Sequence, residues 1–376
     1  MNMQDKEYMQ RAIELAAKGG GWTNPNPNVG AVIVKDGRII GEGYHKRCGE
    51  LHAERNAFAS LTEDATGATI YVTLEPCCHY GKTPPCTEAI IENHIARVVI
   101  GSRDPNPLVS GKGANLLREK GIVVEEDFMR EECDKLNAIF FHHITTGKPY
   151  VAMKYAMTLD GKIATRTGAS KWITGDMARE HVHKIRSRYA AIMAGIGTVL
   201  ADDPMLNARF EGAHQPVRVV VDTRLQIPED SNLVKTAGEY ETIVACGNID
   251  ENIHDKKNRL EKQGVQVVEM PLVEGHVDLR SLMEYLAEKK LDSVYIEGGG
   301  TLHEAALRAG IVNHVFAYVA PKIFGGSDAK TPVEGKGVSV PGEGATFKLM
   351  ETKALGDDLL LEYEIFGGMN DVYWNC

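Results

Sequence analysis

Two short stretches of the 376-residue chain carry the residue types that a catalytic metal site needs. One is His52-Ala53-Glu54. The other, opening twenty residues later, is Leu74-Glu75-Pro76-Cys77-Cys78-His79-Tyr80-Gly81-Lys82-Thr83-Pro84-Pro85-Cys86. One imidazole and two thiolates, from His52, Cys77 and Cys86, suit Zn2+ and leave the fourth tetrahedral position open, which is how a catalytic zinc site differs from a closed structural one. Glu54 stands two residues from a ligand and is placed to move protons rather than bind metal. A closed site would have to recruit Cys78 or His79, each strained by a neighbour that is already committed.

A His-x-Glu followed by Pro-Cys and a second cysteine is the pattern of zinc enzymes that hydrolyse amino groups from nucleobase rings. In that chemistry the metal lowers the pKa of bound water to ~7. Glu54 then takes the water proton, passes it to a ring nitrogen and protonates the departing ammonia. Asn26, His45, His79 and Lys82 lie on loops flanking the ligands, where base edges and a substrate phosphate would be met. Two alternatives stay open here: a deaminase of another nucleobase fused to an unrelated domain, and a zinc-stabilised binding protein without turnover.

Hydrophobic spacing predicts the elements that hold these residues. A helix over 4–18 is followed by the Pro-rich loop 24–28, then strands over 29–34 and 38–43 joined by Asp36-Gly37. The ligand helix 51–60 and strand 69–73 come next, with Cys77 just beyond the strand end. A helix over 86–95, a strand over 97–101, a helix over 114–120, a strand over 122–125 and one long helix over 127–143 complete an α/β/α sandwich. Both halves of the metal site then sit at helix N-termini, whose positive dipole ends favour thiolate. The run 145–149 predicts a domain boundary. Beyond it, strands near 151–157, 190–194, 217–221, 242–245, 265–269, 293–296 and 315–319, with helices over 176–189 and 279–289 among those between, predict a second α/β domain. Glu297-Gly298-Gly299-Gly300-Thr301 lies between a strand and a helix, where glycines let a phosphate reach backbone N–H groups. No G-x-G-x-x-G follows the first strand, which argues against a standard dinucleotide fold. The expected division is 1–145, 146–366 and a disordered tail over 367–376.

An apolar fraction of 43% with 25% charged residues is that of a soluble globular protein. The net charge of −10 excludes a nucleic-acid-wrapping surface. No run of about twenty apolar residues suggests a membrane span, and the polar N-terminus suggests a cytoplasmic protein whose seven cysteines stay reduced.

Taken whole, residues 4–366 resemble the bifunctional deaminase/reductases of bacterial riboflavin biosynthesis. The matching segments include Asn24-Pro25-Asn26-Pro27-Asn28-Val29-Gly30, Gly41-Glu42-Gly43-Tyr44-His45, the two metal stretches, Asp104-Pro105-Asn106-Pro107, Leu159-Asp160-Gly161-Lys162-Ile163-Ala164, Trp172-Ile173-Thr174, Leu200-Ala201-Asp202-Asp203-Pro204 and Glu297-Gly298-Gly299. The resemblance implies a cytidine-deaminase-like α/β/α sandwich followed by a dihydrofolate-reductase-like α/β domain. It implies Zn2+ on His52, Cys77 and Cys86, with Glu54 as proton carrier. It further implies NADPH contacts from Ala156, Trp172, Thr198, Asp202, Thr223 and the segment Gly299, Gly300, Thr301, Leu302 and His303. Substrate contacts would come from Ser170, Arg186, Leu206, Arg209 and Glu297, with Lys154 near the sugar and the two arginines able to clamp a phosphate. The expected partner is a small phosphorylated pyrimidine, with no nucleic acid or membrane, and the chain is expected to form a homo-oligomer, dimer or tetramer.

Overall fold

The computed structural model describes residues 3–80, 84–106, 109–248 and 251–365, and divides into two compact units between Lys148 and Pro149. In the first unit α1 (Met3–Ala16) precedes the hairpin β1 (Gly30–Lys35) and β2 (Arg38–Tyr44). Next come α2 (Ala53–Ala59), β3 (Thr69–Leu74), α3 (Cys86–Glu92), β4 (Arg97–Ser102), α4 (Lys112–Glu119), β5 (Val123–Glu125), α5 (Arg130–Leu136) and α6 (Ala138–Thr146). The sheet order is β2-β1-β3-β4-β5, parallel from β3 to β5, with β1 antiparallel to both neighbours. Every residue of β1 but Lys35 is buried, as a strand covered on both faces must be.

Two glycines fix how closely the ligand helix approaches this sheet. A Cβ on Gly43 would lie 2.3 Å from the Ala57 nitrogen, and one on Gly41 would lie 2.6 Å from the Ala57 carbonyl oxygen. Bare backbone at these positions lets α2 rest directly on β2, which sets the height of His52 and Glu54.

One expectation is corrected. The single helix over 127–143 is two helices, α5 and α6, parted at Asn137, whose φ of −122° leaves helical geometry. The reason is a tertiary contact that outweighs continuous helix. The buried Asn137 side chain accepts from the Asn28 N–H at 2.8 Å and donates to the Asn28 carbonyl at 3.0 Å, pairing like a strand with the end of the Pro-rich loop.

The second unit comprises β6 (Tyr150–Thr158), α7 (Asp176–Arg186), β7 (Ala191–Gly195), α8 (Ile196–Asp202), β8 (Val217–Val221), α9 (Asn232–Lys235), β9 (Thr242–Cys246), α10 (Glu251–Lys262) and β10 (Val265–Glu269). A small ribbon of β11 (Leu272–Val273) and β12 (His276–Val277) leads to α11 (Leu279–Glu288), β13 (Ser293–Glu297), α12 (Gly300–Arg308), β14 (His314–Ala320), β15 (Phe347–Leu355) and β16 (Asp358–Ile365). Nine strands form one sheet in the order β10-β9-β8-β7-β13-β6-β14-β16-β15, and the first seven are parallel. Apolar clusters cover both faces: Ala191 and Met193 feed one, Ile192 and Ala194 the other. The hairpin β15–β16 was not expected. Its Gly356-Asp357 turn was the available signal, and the sparse burial of β15 hid it. The tail call over 367–376 lies outside the described residues.

Candidate active sites

Three element ends converge on the first site. His52 is the N-cap of α2 and Glu54 lies in that helix's first turn. Cys77 follows β3, and Cys86 opens α3. The His52 Nδ1 atom is 3.5 Å from Cys77 Sγ and 3.4 Å from Cys86 Sγ, and all three donor atoms lie within 4.8 Å of one another. The Cys86 N–H donates to Cys77 Sγ at 3.4 Å, so the start of α3 directs a backbone donor at the thiolate. Donation from Cys86 pushes the Cys77 thiol down to about 4, and the same pairing together with burial pushes Cys86 up. Two sulfurs this close to each other and to an imidazole are a donor set that a soft or borderline dication satisfies. Burial first, and the Cys77 thiolate second, push the Glu54 carboxyl up, which suits a group that must carry a proton.

His52, Glu54 and Cys77 face a cavity of about 310 Å³, with Cys86 buried behind them. Asn26 and His45 both line it, with Asn26 Nδ2 3.3 Å from His45 Nε2, and His45 is anchored through Nδ1 to the Leu51 carbonyl at 3.1 Å. Burial holds His45 below the ordinary imidazole value, so it presents a neutral ring. His79 also lines the cavity. Lys82 lies outside the described residues.

The second site forms where the parallel strands of the large sheet end. Register between β13 and β6 sets Glu297 beside Lys154, whose Nζ is 3.4 Å from the carboxylate. Arg186, at the end of α7, meets the same carboxylate through Nε and through Nη2 at 2.9 Å. Burial would raise the Glu297 carboxyl, but Arg186 and Lys154 override it and hold it at about 2. Arg209 reaches this cluster through His183, which accepts from its Nε at 3.2 Å.

Nearby, Gly195 and Gly299 are the N-caps of α8 and α12, and as glycines they offer the helix ends no capping side chain. These turns follow β7 and β13, which are paired in the sheet. A Cβ on Gly300 would sit 2.8 Å from the Thr331 carbonyl oxygen, while the space around Gly299 is open. The His303 ring is fully buried and bonded through Nδ1 to the Pro332 carbonyl at 2.8 Å, so the segment 299–303 offers backbone rather than imidazole. Thr198 lies in α8, and Ser170 donates to Asp202 at 3.3 Å. Trp172 is 60% exposed and carries the Arg179 guanidinium 4.6 Å from its ring centre. Ala156 lies on β6 two residues past Lys154, so the two share a face. Thr223 is tied to the Val277 N–H at 3.3 Å. The Leu206 side chain packs in the core, which leaves its backbone for any ligand.

The model of the RibD C-terminal domain matches residues 149–361, and that of the cytidine and deoxycytidylate deaminase zinc-binding region matches residues 2–102. The chain is 53% identical to the riboflavin biosynthesis protein RibD of Actinobacillus pleuropneumoniae, covering 96% of both. The chain belongs to the RibD family. A solved structure of Acinetobacter baumannii RibD superposes with a TM-score of 0.85 at 38% identity, covering 97% of this chain and 99% of that one. Another, from Thermotoga maritima, is described as a diaminohydroxyphosphoribosylaminopyrimidine deaminase/5-amino-6-(5-phosphoribosylamino)uracil reductase. It superposes with a TM-score of 0.83 at 40% identity, covering 96% and 99%. The chain is thus a bifunctional deaminase/reductase of riboflavin biosynthesis, a cytidine-deaminase-like domain joined to a RibD reductase domain.

Sequence reasoning overlooked part of the RibD deaminase cavity. Asp104, Asn106 and Phe140 line it, and burial raises the Asp104 carboxyl to about 6. The Asp104-Pro105-Asn106-Pro107 run carries the family resemblance in the sequence but no role there. Phe140 carried no signal, because it arrives on the helix that Asn137 turns back toward the loop. Glu75 is explained differently: its carboxylate accepts from the Gly111, Gly113 and Ala114 N–H groups at 3.0–3.3 Å and so caps α4.

Proposed function

We propose that the first unit deaminates 2,5-diamino-6-(5-phosphoribosylamino)pyrimidin-4-one to 5-amino-6-(5-phosphoribosylamino)uracil, and that the second reduces the ribosyl group of that product to ribityl with NADPH. The observation that carries the reading is the pairing, in one chain, of the His52–Cys77–Cys86 cluster with Glu54 beside it and a Lys154–Glu297–Arg186 cluster at the end of a parallel sheet.

His52, Cys77 and Cys86 would hold zinc, which when bound supplies the Lewis acidity that makes water a nucleophile near neutral pH. Glu54 takes the proton of the attacking water and delivers it to the ring nitrogen beside the amino-bearing carbon; it then takes the hydroxyl proton of the adduct as the carbonyl forms and passes it to the leaving amine, which departs as ammonia. Asn26 and the neutral His45 orient the ring from the opposite wall. His79 and Lys82 would meet the polar end of the substrate.

In the second unit the turns at Gly195 and Gly299, with Trp172, Thr198, Asp202 and Thr223, would hold NADPH, which supplies the hydride that C1′ receives. Arg186 and Arg209 would clamp the 5′-phosphate, with Ser170 and the Leu206 backbone beside them. Lys154, ion-paired with Glu297, would donate to the sugar as its ring opens. Geometry rather than acid strength governs that step.

Thiolate ligands need a reducing compartment, which supports the cytoplasm as the working location. No helix among the described residues is long and apolar enough to cross a membrane. The proposed homo-oligomer, dimer or tetramer, is read by light scattering. The test of the activity follows ammonia release and NADPH absorbance separately on the diaminopyrimidinone, with and without a zinc chelator. Chelator-sensitive ammonia release followed by NADPH consumption is expected. Ammonia without NADPH loss removes the reductase assignment, and no ammonia removes the substrate.

A further inference from the structure

The loop 203–209 that follows α8 has no regular secondary structure, yet side chains from elsewhere fasten most of its backbone. The Asn232 N–H donates to the Asp203 carboxylate at 2.8 Å, and Asn232 Nδ2 donates to the Asp203 carbonyl at 2.9 Å. The fully buried Arg218 donates to the Met205 carbonyl at 3.3 Å. Arg186 Nη1 donates to the Asn207 carbonyl at 2.9 Å. Gln215 brackets Ala208, accepting from its N–H at 3.1 Å and donating to its carbonyl at 2.8 Å. The loop therefore ends on Arg209 with its backbone already fixed.

An exposed arginine on a fixed backbone still has several rotamers, and freezing them costs about 1.5–2 kcal/mol. Here one residue fixes the guanidinium. His183, one turn before Arg186 on α7, accepts from both Arg209 Nε and Nη2, at 3.2 and 3.1 Å. An imidazole that accepts at Nε2 must be neutral with its proton on Nδ1; Nδ1 lies 3.5 Å from Arg186 Nη1 and faces the Asn207 backbone, whose carbonyl also accepts from that Nη1. Burial and the flanking Arg186 and Arg209 charges hold the ring at about 4, consistent with that form.

We propose that His183 is a positioning residue of the reductase half: it aims the Arg209 guanidinium, and so sets the affinity for the substrate's phosphate without touching the reacting atoms. This rests on the reading of Arg186 and Arg209 as the phosphate clamp. His183, Arg186 and Arg209 then act as one unit built from the end of α7 and the loop after α8.

The experiment is steady-state reduction by the full-length enzyme of 5-amino-6-ribosylaminouracil, with and without its 5′-phosphate. Ammonia release in the first half serves as the control for intact protein. For His183→Leu the KM of the phosphorylated substrate should rise roughly tenfold, the effect of losing an orienting bond to a charged group. The kcat and the KM for NADPH should stay within about twofold, and the unphosphorylated substrate should show no change. His183→Gln, whose carbonyl reaches the Nε2 position, should restore most of the affinity. In the Arg209→Ala background, His183→Leu should add nothing. An unchanged KM in His183→Leu, an equal penalty on the unphosphorylated substrate, or no rescue by Gln overturns the inference while leaving the clamp in place. If Arg209→Ala itself binds phosphorylated substrate normally, the clamp reading falls, and the role of His183 with it.

Discussion

The two sites solve the problem of holding charge out of water in opposite ways. In the deaminase half the donors are His52, Cys77 and Cys86, two sulfurs packed against one imidazole, a set that a cation would complete. In the reductase half Glu297 stands between Lys154 and Arg186, one carboxylate against two cations, so the carboxylate is held by side chains of the chain itself and positive charge is left over for an anion. The first site is therefore short of a cation, whereas the second holds its buried carboxylate with cations of its own. One consequence is that the two activities should separate cleanly under metal removal and under single substitutions.

The largest separation is expected for Glu54→Gln. Loss of the proton carrier beside the donors should lower ammonia release by about 10³-fold or more, within the range assigned to general acid–base catalysis together with lost water activation. Reduction of the deaminated substrate should continue at the wild-type rate. A parallel fall in both would mean that the halves are energetically joined. A chelator should give the same pattern by another route, stopping ammonia release while NADPH consumption on deaminated substrate persists. Reconstitution with Zn2+ should restore the first activity.

How much of this was legible in the sequence follows the same contrast. The metal ligands and Glu54 fall within 35 residues, on helix starts and a strand end that hydrophobic spacing already marked, so local pattern placed them. Lys154 and Glu297 are 143 residues apart and meet only through the register of β13 on β6. No spacing rule brings them together, and they were named through resemblance to a family. Asn137 and His183 had no signal at all. Each acts by a hydrogen bond across the fold, and in sequence each is an ordinary polar residue on a helix. The C-terminal hairpin was missed because its strands are half exposed, which dilutes the alternation that marks a strand.

A carboxylate held by the chain's own cations should fail differently from a metal site. Glu297→Gln leaves the Lys154 and Arg186 cations facing each other with little exposure, and should destabilise the second unit by about 3–5 kcal/mol, read as a lower denaturant midpoint for that unit. The sign of its pH dependence is set by the direction of the shift. Glu297 has its carboxyl at about 2 in the fold against 4.5 ordinarily, so its contribution is fully present above 4.5 and fades as pH falls toward 2. The gap between wild type and variant should accordingly narrow over that acidic range and stay constant from pH 5 to 8. A gap that instead widened on acidification would show that the carboxylate is not held by the two cations.

The smallest effect tests whether the deaminase site depends on anything beyond its ligands. Asn137 touches no ligand, yet its amide pairs with both backbone groups of Asn28, two residues from Asn26. Asn137→Ala strands those groups in a largely buried position and allows α5 and α6 to run together, because alanine favours the helix that asparagine interrupts. The loss should be about 1–2 kcal/mol in the stability of the first unit. Phe140, carried on the re-aimed helix, would leave the cavity wall, and Asn26 would lose its fixed backbone. The expected readout is a KM for the diaminopyrimidinone raised a few-fold, with zinc content unchanged and the kcat nearly so. Metal loss in this variant would instead mean that the Pro-rich loop supports the ligands themselves, and that the first site is less local than its sequence suggests.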